Sequence, residues 1–166
     1  TEVDPDTICN AAGHAALSYV FGDSAAGFDP RTSKDSKCIL IWGANPAHCG
    51  PHVYQHWLRE HGAEVIVIDP VRTETAASAD LHLQIRPGSD AALAFSMLHI
   101  MREESLVDEN YIKNHVQGYE EVLPSIENCT PEWGQSETGI PSTLIEQAAR
   151  SYARGPSLLW LGQGLQ

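Results

Sequence analysis

Two short stretches stand out along the chain because they lack any polar alternation. Residues 38–42 read CILIW and residues 64–69 read EVIVID, the pattern of strands buried on both faces. Gly43-Ala44-Asn45-Pro46 breaks the first run. A helix is expected from about residue 50 to 61, with Pro51 in its first turn and Gly62 just past its end. Strand, helix and strand over 38–69 have the length of one βαβ crossover, which implies parallel strands and a right-handed connection. Residues 81–85 (LHLQI) read as a third, half-buried strand, and 158–161 as a last one leading into Gly162-Gln163-Gly164. Ser89 is a candidate N-cap for a helix running to about Glu104, with an apolar stripe at Leu93, Met97, Ile100 and Met101. An Ala-rich helix is expected from about residue 10 to 21, and shorter ones near 108–115, 119–127 and 141–153. Residues 22–36 are rich in Gly, Asp and Ser and read as a loop. No repeat, low-complexity tract or interior linker divides the chain. The expectation is one α/β domain over 1–166, a Rossmann-like parallel sheet flanked by helices on both faces.

Composition narrows the function classes. With 42% hydrophobic and 19% charged residues in 166, the chain reads as globular rather than disordered. No apolar run approaches the ~20 residues of a membrane-spanning helix, so no direct membrane insertion is expected. The segment from Thr1 to Asp6 is polar, without the basic start and apolar stretch of a signal peptide. The absent initiator Met suggests a processed chain or an excised fragment. A formal charge of −12 argues against nucleic acid as a partner. It leaves room for a phosphorylated ligand held by backbone N–H groups. Of the four cysteines, Cys9, Cys38, Cys49 and Cys129, no two are spaced as CxxC, which argues against a zinc ribbon or iron–sulfur cluster within the segment. Cys38 opens an apolar strand and reads as inert filler.

Ligands of open parallel sheets bind beyond the carboxyl ends of the strands. Those ends carry Gly43-Ala44-Asn45-Pro46, then Asp69-Pro70-Val71-Arg72-Thr73, then Arg86-Pro87-Gly88-Ser89-Asp90, and lastly Gly162-Gln163-Gly164. Glycines there allow close approach to the backbone. Asp69 and Asp90 suit a ribose diol or a guanine edge. Arg72, Arg86 and the helix start near Ser89 suit phosphate. Each of these is also an ordinary turn residue when taken alone; four such loops at four strand ends are harder to dismiss. The first strand is not followed by GxGxxG, so a conventional NAD site is poorly matched.

The strings themselves resemble a known family. Ile41-Trp42-Gly43-Ala44-Asn45-Pro46 resembles the GxNP segment of the molybdopterin oxidoreductases, which include dimethyl sulfoxide reductases, formate dehydrogenases and nitrate reductases. Val67 to Ala76 with Ala79-Asp80 is similar to that family's vvDPRxTxTAxxAD, and Ile85 to Asp90 with Ala92-Leu93 to its lrPGtDxAL. The pattern continues through Leu106 to Ile112, Gly118 to Glu120, Thr130 to Glu132, Thr138 to Pro141 and Ala148 to Ala153. Val71 stands where the family usually carries Arg, and Arg72 follows one step later.

The resemblance implies a molybdenum or tungsten bis(molybdopterin guanine dinucleotide) cofactor in a larger enzyme that transfers electrons or an oxygen atom. It also implies a 4Fe-4S cluster outside this segment, further domains of the parent enzyme, and an electron-transfer subunit as a possible partner. By resemblance, Gly43 and Asn45 lie along the diphosphate or pterin, and Asp69, Pro70, Arg72 and Thr73 line the nucleotide end. Gly88, Ser89 and Asp90 meet guanine and ribose, and Gly162, Gln163 and Gly164 pass near the metal. Cys9, 36 positions before Asn45, sits where family members with a protein ligand to the metal carry it. A soft thiolate suits a metal already held by sulfur. Asn10 follows it where formate dehydrogenases usually carry His, so formate is not singled out as substrate. His14, just over one helical turn on, is a candidate acid–base group or else a surface histidine. His48, His52 and His56, four apart, read as a solvated stripe rather than a metal site. The acidic cluster of Glu103, Glu104, Asp108 and Glu109 reads as a solvated face. Family members work in the cytoplasm or the periplasm. Alternative readings are a non-catalytic nucleotide-binding module with the same fold, and an unrelated enzyme using a plain dinucleotide.

Overall fold

The computed structural model describes residues 8–23, 29–59 and 62–162. Its centre is β1 (Cys38–Trp42), every residue of which is buried. On one side β1 pairs with β2 (Glu64–Ile68), Trp42 lying opposite Ile68. On the other it pairs with β4 (Ser157–Leu161), Trp42 lying opposite Leu161. β3 (Leu81–Leu83) adds to β2, Ile68 opposite Leu83. All pairings are parallel, in the order β3-β2-β1-β4. All four carboxyl ends therefore lie on the same edge of the sheet.

Because side chains alternate along a strand, β1 feeds two cores. Cys38, Leu40 and Trp42 join Ile66, Ile68 and Leu83 on one face, under α5 (Asp90–Glu103) and α9 (Ser142–Ala153). The expected stripe is confirmed there: Leu93, Met97 and Ile100 are buried and Met101 packs against them. Ile39, Ile41, Val67 and Leu158 face the other way, onto Tyr54, Leu58 and Ala76. Helices therefore cover both faces, as expected. α8 (Pro131–Thr138) packs on α5 so closely that a Cβ at Gly134 would lie 2.5 Å from Ser96 Oγ. Between α5 and α8 run α6 (Glu109–His115) and α7 (Tyr119–Ile126).

The expected single helix over 50–61 is instead broken. α2 (Pro46–Cys49) begins directly after Asn45, and α3 (Pro51–Val53) leads into a π turn at Tyr54–Leu58. Pro51 has no N–H with which to continue the first helix, and Gly50 between them leaves the helical region at φ −151°, ψ 57°. Three further elements were not expected. Pro30–Asp35 forms a 3₁₀ turn inside the supposed loop, where the Asp29 carboxylate accepts from Arg31 N. α4 (Glu74–Ala77) starts at Thr73, whose hydroxyl accepts from Ala76 N. The third is α8.

No described side chain of α1 (Ile8–Phe21) belongs to either core. Tyr19, Val20 and Phe21 near its end are 92%, 72% and 67% exposed. No helix among the described residues is long and apolar enough to cross a membrane.

Candidate functional site

The loops leaving β1, β2 and β3 meet at the common carboxyl edge, together with Gly162, the residue that follows β4. Gly43 N donates to Ile68 O and Gly162 N donates to Trp42 O, both at 2.8 Å, which binds the ends of β2, β1 and β4 together. Gly43 turns away at φ +61°, a conformation that glycine reaches without steric cost. Gly162 crosses directly over it: a Cβ there would overlap the Gly43 carbonyl oxygen and lie 2.6 Å from its carbon. Gln163 and Gly164 lie outside the described residues.

Asn45 caps the start of α2 without using its side chain as a cap. Its Oδ1 accepts instead from Thr75 Oγ1 at 2.6 Å, and Thr75 Oγ1 accepts from Ala47 N at 3.1 Å. The loop after β2 is built by Asp69, whose Oδ1 accepts from Val71 N at 2.8 Å, a turn that an Asp at this position favours. From β3, His82 Nε2 donates to Asp69 O at 2.9 Å, and Gln84 just after it donates from Nε2 to Pro70 O at 3.1 Å. Arg72 is exposed and makes no ion pair among the described residues.

Beyond β3, Gly88 turns the chain at φ +83° into open space. Ser89 takes the N-cap position of α5, but its hydroxyl donates to Arg86 O at 2.7 Å rather than serving as a cap acceptor. Asp90 opens α5, and its Oδ1 accepts from Trp42 Nε1 at 2.8 Å. That bond joins the helix to the end of β1, beside a small hollow lined by Trp42, Asp90, Ala94 and Leu161. Oδ2 of Asp69 and Oδ2 of Asp90 have no hydrogen-bond partner among the described residues.

Arg86, a phosphate candidate by its place after β3, is tied to α8. Its guanidinium donates to Ser136 O and Glu137 O at 3.2 and 2.8 Å, and its own N–H donates to Thr138 O. These carbonyls close the C-terminus of α8, where a cation is favoured. Glu104 is more than a solvated charge: Arg150 forks onto both its oxygens at 2.6–3.0 Å and holds its carboxyl below the usual range. His52 and His56 stack at 6.5 Å and His48 meets Glu74 at 3.3 Å. The described residues contain no group of three metal-ligating side chains. His14 is exposed on α1. The Cys9 side chain lies outside what the structure describes. Cys38 is buried, and burial together with the nearby Glu64 pushes its thiol up to about 12, which fits inert filler.

Sequence reasoning missed Thr75 and Trp42 as the residues that hold Asn45 and Asp90. Trp42 carried a signal, since an indole N–H at the end of a buried strand needs an acceptor.

A model of the family described as molybdopterin oxidoreductase matches residues 7–166. The chain belongs to the molybdopterin oxidoreductase family. It is 37% identical over 160 residues to the F420-dependent formate dehydrogenase 1 subunit alpha of Methanococcus maripaludis, covering 92% of this chain and 24% of that protein. Formate dehydrogenase H of Escherichia coli is 35% identical, with 91% and 22% covered. The assimilatory nitrate reductase of Haloferax mediterranei is 30% identical, with 96% and 22% covered. Acetylene hydratase from Pelobacter acetylenicus superposes with a TM-score of 0.70 at 28% identity, covering 78% of this chain and 18% of that one. The chain thus spans about a quarter of the length of these curated relatives. Their names include dehydrogenase, reductase and hydratase, so membership of the family does not by itself set the reaction.

Proposed function

We propose that this family segment seats one guanine dinucleotide arm of a molybdenum or tungsten pterin cofactor along the carboxyl edge of its sheet. The parent enzyme then moves electrons or an oxygen atom at the metal. When bound, the cofactor supplies the redox chemistry. The chain's own residues supply shape and hydrogen bonds. The observation that carries the reading is the set of free polar groups converging on one edge of a sheet whose family is known.

The chemistry of that edge suits such a group. Asn45 offers its amide NH2, and Arg72 an unpaired cation, to acceptor oxygens such as those of a diphosphate. Asp69 and Asp90 each keep one carboxylate oxygen for a ribose diol or a guanine N–H edge. Thr73 and Ser89 stand beside them in the same loops, with Pro70, and Gly43, Gly88 and Gly162 keep side chains out of the way.

Cys9, from α1, is assigned as the thiolate ligand of the metal, and His14 as a proton carrier on the same helix. The exposed Tyr19, Val20 and Phe21 supply apolar surface for remaining domains of the parent. A 4Fe-4S cluster and an electron-transfer subunit belong to those other parts, and the isolated segment is expected to be inactive.

The test is the content of the full-length protein co-expressed with cofactor assembly. One metal and two guanine nucleotides released per chain on denaturation are expected. An empty, folded protein would remove the proposal. For Cys9→Ser, X-ray absorption should report the loss of one sulfur neighbour of the metal; an unchanged sulfur count would clear Cys9 of that role.

A further inference from the structure

We infer that Thr75 is a positioning residue: it turns the Asn45 carboxamide so that the edge presents a hydrogen-bond donor, selecting an acceptor oxygen of the ligand. The inference rests on the cofactor seat proposed above and goes beyond it, since the direction of Asn45 comes from a residue not itself in the seat.

Thr75 is 1% exposed and lies on α4, 30 residues from Asn45 in sequence. A threonine hydroxyl has one proton and two lone pairs. Ala47 N at 3.1 Å donates to that oxygen, so one lone pair is taken. The proton then needs an acceptor, because a buried unpaired hydroxyl is costly. Asn45 Oδ1 at 2.6 Å is that acceptor. Rotating the carboxamide by half a turn would bring an NH2 against the same oxygen and strand the hydroxyl proton. The network therefore admits one orientation, with Oδ1 inward and the NH2 left for the edge.

Thr75 is itself held from behind. Ser78 Oγ donates to Thr75 O at 3.0 Å, and the Tyr54 hydroxyl is bonded to Ser78 Oγ. Tyr54 is buried in the core on that face. Orientation at the edge is thus referred back to the core.

The test uses the full-length protein produced with intact cofactor assembly. Pterin fluorescence and GMP released on denaturation are measured per chain, before and after prolonged dialysis. Melting temperatures are recorded alongside. Thr75→Val keeps the shape and removes the hydroxyl, and should shorten cofactor retention about tenfold, the scale of one lost hydrogen bond to a charged group. Thr75→Ser should restore it. Asn45→Asp keeps the inward acceptor and removes the donor, so it should lose retention at least as severely as Asn45→Ala. Adding Thr75→Val to Asn45→Ala should cost nothing more.

Wild-type retention in Thr75→Val, with loss in Asn45→Ala, overturns the role of Thr75 and leaves the seat intact. Wild-type retention in Asn45→Ala removes Asn45 from the seat and the inference with it. Loss in both Thr75→Ser and Thr75→Val, with equally lowered melting temperatures, would mean a purely structural threonine and also overturns it. If Thr75→Val does not fold, Asn45→Asp decides: wild-type retention there refutes the donor requirement.

Discussion

Replacing Gly162 by Ala should strain the edge at its tightest point. The added Cβ would overlap the Gly43 carbonyl oxygen, and would sit 2.6 Å from Gly43 C and 3.3 Å from Ala44 N. Carbon atoms in contact prefer about 3.5–4.0 Å, so the two strand ends must part by about 1 Å. All three atoms belong to the backbone, so no rotamer change relieves the overlap. Parting them weakens the 2.8 Å bond from Gly162 N to Trp42 O, worth about 1 kcal/mol. Overpacking adds about 1–3 kcal/mol. A sum of about 2–4 kcal/mol follows, less a few tenths from the stiffer unfolded chain. Gly88→Ala is the control, because open space surrounds that residue and only its φ of +83° is violated, at about 1–2 kcal/mol. Native-state hydrogen exchange in the full-length protein reads such local openings directly. Amides of β1 and β4 should exchange tens- to hundreds-fold faster in Gly162→Ala. Unchanged rates there, or a larger effect from Gly88→Ala, would refute the crossing of the two loops.

Four further outcomes are expected. Gly134→Ala should lower the melting temperature: the helix gains up to about 1 kcal/mol from alanine, but the contact with Ser96 and Ile145 costs about 1–3 kcal/mol; a higher melting temperature would show that α5 and α8 part freely. In a native thiol titration Cys49 should react, while buried Cys38 and Cys129 should not. Because the folded Cys38 thiol sits near 12 against an ordinary 9.0, it favours the folded state below pH 9, and that contribution falls as pH rises from about 9 to 12; Cys38→Ala should flatten this alkaline loss, and an identical profile would contradict it. Asp90→Ala should release guanine nucleotide and also leave the Trp42 indole without its acceptor; unchanged nucleotide content in Asp90→Ala would remove Asp90 from the seat.

The parts of this molecule that were legible in the sequence are those fixed by local patterning. β1 and β2 were readable because strands buried on both faces leave no polar residue to interrupt them. The shared edge followed from the parallel crossover alone. The helix over 50–61 was misread because Gly50-Pro51 looks like a helix start, whereas Asn45-Pro46 already supplies one. α8 has little apolar periodicity, so the carbonyls at its end that hold Arg86 are not legible in the sequence. The pairs that organise the edge join residues 30 and 48 positions apart. No single-sequence pattern encodes such partners; only the packing of α4 beside α2 and of α5 in one core with β1 brings them together.

The claim that the four loops form one cofactor seat is tested most directly by hydrogen–deuterium exchange on the full-length protein, cofactor-loaded against cofactor-stripped. Protection on loading should concentrate at residues 43–45, 69–73, 88–90 and around 162, leaving the 48–56 histidine stripe and α6 unchanged. Protection confined to the opposite ends of the strands, or absent from these loops, would contradict the account.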